Sequence, residues 1–180
     1  MDRYEGFREF VQDRGQALSR TAYLLCGDHG AAEDLVQSAL AKTAARWPTV
    51  HAAGSPEAYV RRVMVNERIS WWRRRHTEHP TRDLPDRASP GDESERVVHR
   101  MAIAAALAQL APRQRAVIVL RFYEDLSEAE TAAALGCGVG TVKRQTHDAL
   151  ARLRRIAPEL APRWFEDQCP ARPTAPEVSR

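Results

Sequence analysis

LSEAETAAALGCGVGTVKRQTHDALARLRR, residues 126–155, reads as two helices joined by a tight turn. Ser127 followed by Glu130 is a capping box, in which each side chain satisfies a free backbone amide at a helix start. Ala-rich residues run on to Leu135, and Gly136 supplies the left-handed conformation that ends a helix. After Cys137 and Gly138 a second helix starts near Val139 and continues past Leu153, with Val142, Ala149, Leu150 and Leu153 spaced to pack inward. A helix, a short Gly turn and a polar second helix make a helix-turn-helix, whose second helix suits a DNA major groove. A plain αα-hairpin with a solvated basic face has the same outline. Charge favours the first reading. Residues 140–155 carry Lys143, Arg144, Arg152, Arg154 and Arg155 against Asp148 alone, a net of +4, which is the footprint of phosphate contact.

The whole chain of 180 residues has a net charge of only +3, so placement matters more than size. A second basic island, net +4, lies at residues 56–75, and an acidic stretch, net −3, lies at 76–98 between the two. That asymmetry argues for two nucleic-acid contacts. With 43% hydrophobic and 28% charged residues the chain is globular, with room for one domain or two small ones. No apolar run reaches a membrane span and no signal peptide opens the chain, so the expected location is the cytoplasm, with no membrane insertion. Cys26, Cys137 and Cys169 are odd in number and widely spaced, against a disulfide framework or a metal site. No phosphate loop, nucleophile elbow or zinc-protease motif occurs, so neither an enzyme nor a cofactor is expected.

Upstream, residues 4–25 form a first helix, stopped by Cys26-Gly27. Asp28 caps a second helix from about Gly30 to Arg46, with Leu35, Val36, Ala39, Leu40 and Thr43 as its apolar stripe. Glu33, Asp34 and Gln37 stand in its first turns, where acids complement the helix dipole. Trp47-Pro48 is expected to break this helix and Thr49–Gly54 to be a polar loop. Ser55 and Pro56 then open a third helix, over 56–75. It packs with Val60, Val63, Met64 and Ile69 and presents Arg61, Arg62, Asn66, Arg68, Trp71, Trp72, Arg73, Arg74 and Arg75. Arginines interleaved with aromatics suit melted nucleic acid, because unstacked bases lie on rings while cations hold phosphates. The bland alternative is a core Trp pair and a solvated Arg helix end. Residues 76–98, punctuated by Pro80, Pro85, Pro90 and Gly91, read as a flexible linker. A helix from Ser94 to Leu110 and an apolar one opened by Pro112 precede the helix-turn-helix. A Pro-rich tail follows Ile156. The expected fold is all-α, two small helical domains joined by a linker.

In this order the pieces resemble the extracytoplasmic-function branch of the sigma-70 RNA polymerase sigma factors, most closely the SigE-like actinobacterial subgroup. AAEDLVQSALAKTAARW (31–47), AYVRRVMVNERISWWRRR (58–75), LAPRQRAVIVLRFYEDLSEAETAAALG (110–136) and VGTVKRQTHDALARLRR (139–155) carry the likeness, which spans residues 4–155. It implies a promoter-melting region 2 at 1–75, a linker at 76–98, a region 4 at 99–156 and a mobile tail at 157–180. It also implies docking of Glu33, Asp34 and Gln37 on the β′ clamp helices of core RNA polymerase, and contact of region 4 with the β flap. Arg61, Arg62, Asn66, Arg68, Trp71, Trp72 and Arg73–Arg75 would hold and read the −10 element of promoter DNA. Thr141, Lys143, Arg144, Gln145, His147, Asp148 and Arg152 would meet the −35 element. Many such proteins are held inactive by an anti-sigma factor, so the likeness admits that partner too.

Three positions depart from the family pattern: Gly138 replaces a common Ser cap, Arg144 a small polar residue, and His147-Asp148 a frequent basic residue. Asp148 either accepts a hydrogen bond from a cytosine amino group or pairs with Arg144 or Arg152. Two other classes remain beside the sigma reading. A dimeric helix-turn-helix operator-binding regulator explains neither the Arg/Trp helix nor the acidic second helix, and a protein-binding adaptor does not explain the basic recognition helix.

Overall fold

The structure, a computed structural model, describes residues 4–78 and 95–158, with the side chains of 75–78 and 95–100 outside the description. Helix α1, Phe7–Cys26, buries Leu18, Thr21, Ala22 and Leu25, one stripe at helical spacing. Gly27 ends it in the left-handed region at φ 77°, donating its amide to the Tyr23 carbonyl at 2.7 Å. Helix α2, His29–Ala45, is capped by Asp28, whose carboxylate accepts from the Ala31 amide at 2.7 Å. Its buried residues Ala32, Leu35, Val36, Ala39 and Thr43 pack on α1 and on α4, Pro56–Glu78.

Between them the expected break and polar loop are instead a short helix α3, Trp47–Ala52. Pro48 sits in its first turn, where the missing amide costs nothing, so a proline that stops one helix here starts the next. Trp47 anchors it. The indole is 2% exposed, donates its N–H to the Glu5 carbonyl at 2.7 Å and meets the rings of Phe7, Phe10 and His51 with centroids 5.1–5.5 Å apart.

Helix α4 continues to Glu78, and α5, Glu95–Ala108, begins inside the expected linker, so the two ends of the 76–98 stretch are helical. Its middle, and the expected tail with Cys169 from residue 159 onward, lie outside the described residues. Helix α6, Pro112–Ile118, passes without interruption into a π-helical turn, Val119–Tyr123. Helices α7, Glu128–Leu135, and α8, Val139–Ile156, complete the chain. Among the described residues all regular structure is helical, and none of the helices is long and apolar enough to cross a membrane. One apolar cluster runs through both halves, joining Leu18, Leu25, Leu35 and Met64 to Leu107, Ile118, Leu120 and Leu153. The halves therefore pack directly on each other, α1 against α5 and α4 against α6 and α7.

Candidate nucleic-acid interface

The helix-turn-helix forms as its residues demand. The Glu130 amide donates to Ser127 Oγ at 3.2 Å, and the Ser127 amide donates to Glu130 Oε2 at 2.8 Å. Hydrogen bonding by Ser127 holds the Glu130 carboxyl below its ordinary value. Gly136 turns the chain at φ 61°, and the Cys137 amide reaches back to the Ala132 carbonyl at 3.0 Å. Gly138 caps α8 without a side-chain bond. Val142, Ala149 and Leu153 seat α8, with Val142 meeting Val117 and Ala132.

This seating turns Lys143, Arg144, His147 and Asp148 outward as one exposed stripe along α8. Lys143 Nζ lies 3.6 Å from Glu128 Oε2 in an exposed pair, worth about 1 kcal/mol or less. Asp148 pairs with neither Arg144 nor Arg152 among the described residues. Arg152 instead turns back, donating from Nε to the Gln109 carbonyl at 3.0 Å beyond the end of α5. Thr141 and Gln145 are half-buried and line the crevice between α8 and α6 with Arg113, Val117 and Cys137.

On α4 the arginines and tryptophans divide between two faces. Arg62, Asn66, Arg73 and Arg74 are exposed, and Arg62, Asn66 and Arg73 recur on one side of the helix. Arg61 and Arg68 lie on the other. Arg61 contacts Glu57 at 2.8 Å and Glu124 at 2.5 Å, and Arg68 donates from Nε to the Leu25 carbonyl at 3.1 Å. Trp71 is half-buried and Trp72 is 37% exposed; Arg75 lies on the same helix. On α2, Glu33, Asp34 and Gln37 form an exposed polar patch opposite the buried stripe, with Gln37 Nε2 donating to Glu33 Oε1 at 3.3 Å.

Several structural side chains escaped the sequence reading. Arg115, 5% exposed, donates to the Leu107 carbonyl at 2.6 Å and the Leu25 carbonyl at 2.9 Å. Burial, then the neighbouring Arg68, lowers its pKa to about 10. Burial likewise raises the Cys26 thiol, against the opposing charges of Arg68 and Arg115. Lys42 pairs with Glu67 between α2 and α4. The one available signal was Arg115 next to the apolar run Ala116–Leu120; its Leu25 partner is 90 residues away in sequence.

Two comparisons of sequence and one of structure converge. Residues 10–78 match sigma-70 region 2, and residues 100–153 match sigma-70 region 4. The RNA polymerase sigma-E factor of Streptomyces coelicolor is 47% identical over 164 residues, covering 89% of this chain and 92% of that protein. The ECF RNA polymerase sigma factor SigL of Mycobacterium tuberculosis is 33% identical over 160 residues, covering 85% and 89%. Among solved structures, the sigma factor RpoE in complex with the anti-sigma factor NepR from Bartonella quintana superposes with a TM-score of 0.69 at 27% identity, over 83% of this chain and 94% of that one. CnrH, in complex with the cytosolic domain of CnrY, shares the fold at a TM-score of 0.59. A two-unit helical chain with both matched regions in this order is an RNA polymerase specificity subunit. It belongs to the extracytoplasmic-function branch of the sigma-70 family and is similar to the sigma-E factors of Streptomyces. The operator-binding regulator is set aside, since it accounts for only one of the two regions.

Proposed function

We propose that this sigma factor divides promoter recognition among three surfaces. The α8 stripe Lys143, Arg144, His147 and Asp148, with Thr141 and Gln145 at its edge, enters the major groove at the −35 element. Arg152 supports that helix from the side. On α4, Arg62, Asn66, Arg73 and Arg74, with Trp71, Trp72, Arg61, Arg68 and Arg75, hold the melted −10 strand, offsetting an unpairing cost of a few kcal/mol per base. Glu33, Asp34 and Gln37 dock on the β′ clamp helices of core polymerase, and region 4 meets the β flap. Region 2 occupies 1–75, the linker 76–98, region 4 99–156 and the tail 157–180. The protein is a specificity subunit rather than an enzyme, works in the cytoplasm where core polymerase works, and takes an anti-sigma factor as regulatory partner. The observation that carries this reading is the outward basic stripe of α8, seated behind a complete capping box.

Run-off transcription with core RNA polymerase on sheared genomic DNA tests it. Discrete transcripts that share one upstream sequence, and that appear only with the protein, are expected. Absence of both transcripts and co-elution with core polymerase would refute it.

A further inference from the structure

Lys42 and Glu67 belong to no motif of the sequence, yet they form an ion pair between α2 and α4. The Glu67 side chain is 9% exposed and only one of its oxygens is engaged; Oε2 is buried with no hydrogen-bond partner among the described residues. As a joint between helices this is poor chemistry. A half-satisfied buried carboxylate gains little over an apolar residue of similar size, and Leu35, Ala39, Val60 and Met64 are already buried on the same two packed helices. The consequence of the pair lies at its other end, where the Lys42 side chain stays 58% exposed while its ammonium is held against α4. Lys42 also complements the dipole at the end of α2, but that role needs no buried partner.

Helical geometry places that ammonium. Successive residues of a helix advance by about 100°, so the outward row of Arg62, Asn66 and Arg73 is followed round α4 by half-buried Val63 and Ser70 with exposed Arg74, and then by Glu67. Helix α2, which reaches Glu67 through Lys42, therefore flanks the outward face of α4, and Lys42 stands on its rim. An ammonium carries three N–H donors. Glu67 takes one and leaves two for an acceptor arriving from solvent. We infer that Lys42 is a further nucleic-acid contact, a phosphate ligand on the rim of the α4 face, and that Glu67 is the positioning residue that holds it there. This inference rests on the assignment of α4 to the melted strand and extends that surface onto α2. A phosphate of a strand lying along Arg62, Asn66 and Arg73 receives a charge-assisted hydrogen bond from the held ammonium.

The test uses the full chain with Lys42→Gln, with Glu67→Gln and with both. Binding to a labelled mixed-sequence single-stranded DNA 20-mer is followed by anisotropy along a KCl series. Loss of one phosphate contact lowers the slope of log affinity against log salt by about 0.7, so from about 50 to 200 mM KCl Lys42→Gln should lose about 2.6-fold less affinity than wild type. The doubly changed chain, which buries no unpaired charge, should show the same lowered slope, and Glu67→Gln alone should fall more than halfway towards it. A wild-type slope in the doubly changed chain overturns the contact, even where Lys42→Gln alone does not fold. A slope in Glu67→Gln that equals or exceeds the wild-type slope overturns the positioning role, since a merely structural pair changes stability and not the slope. Arg62→Gln reports separately on the underlying reading: a wild-type slope there removes α4 itself from nucleic acid, whereas a lowered slope there beside an unchanged one in the Lys42 variants removes only the rim contact.

Discussion

Gly136 and Gly15 form a matched pair in which backbone conformation alone sets the sign of a substitution. A Cβ at either position meets nothing within 4 Å, so neither Gly136→Ala nor Gly15→Ala creates a clash. Gly136 holds φ 61°, whereas Gly15 lies inside α1. At Gly136 an L-residue costs about 1–2 kcal/mol in the left-handed region, offset by roughly 0.4–1 kcal/mol from a stiffer unfolded chain. The net expectation is a destabilisation of about 1 kcal/mol. At Gly15 alanine gains about 1 kcal/mol of helix propensity. Thermal unfolding of the full chain should then show Tm falling by about 2–4 °C for Gly136→Ala and rising by a similar amount for Gly15→Ala. Shifts of the same sign in the two variants would show that something other than backbone conformation governs the turn between α7 and α8.

Trp47→Ala should cost about 3–5 kcal/mol, because it empties a buried aromatic cluster and leaves the Glu5 carbonyl without its donor; denaturant unfolding measures this, and a loss near that of a surface residue contradicts the role of Trp47 as the anchor of α3. Ser127→Ala should remove about 1 kcal/mol of cap. It also alters acid sensitivity. Glu130 is held below its ordinary value when folded, so its contribution is complete above the ordinary carboxylate range and is lost as pH falls through the lowered folded value. The difference between wild type and Ser127→Ala should therefore shrink in acid, and a constant difference from pH 7 to pH 3 counts against the capping box. Asp148→Ala should change base preference at one −35 position in a promoter-variant library, since Asp148 has no ion-pair partner among the described residues; identical preference at every position removes it from base readout.

Much of this protein is written locally in its chain. The capping box of Ser127 and Glu130, the stop at Gly136, the Asp28 cap and the Gly27 stop depend on residues within a turn of one another, so spacing suffices to find them. The outward stripe of α8 was legible for the same reason, because Val142, Ala149 and Leu153 define one inward face. Trp47-Pro48 misled because proline at a junction serves both as terminator and as first turn, and only the burial of the indole distinguishes them.

Helix α4 marks where local reading ends. Its period makes a helix evident, but Val60, Met64, Val65 and the half-buried Trp71 spread over enough of the circumference that no single polar face stands out. Packing against the rest of the chain decides which polar side chains face outward: Arg62 and Asn66 stay exposed, while Arg61 turns to Glu124 and Arg68 to the Leu25 carbonyl. Arg115 finds the Leu25 carbonyl 90 residues away, and Glu124 finds Thr21 at a separation of 103. Most of the helices, the caps and the outward stripe of α8 were determined by the sequence alone, through contacts within one or two turns. The division of α4, the contacts of Arg115 and the pairing of Glu124 with Arg61 and Thr21 were decided by tertiary structure, because burial and long-range pairing depend on which remote surface arrives, and no local spacing encodes that.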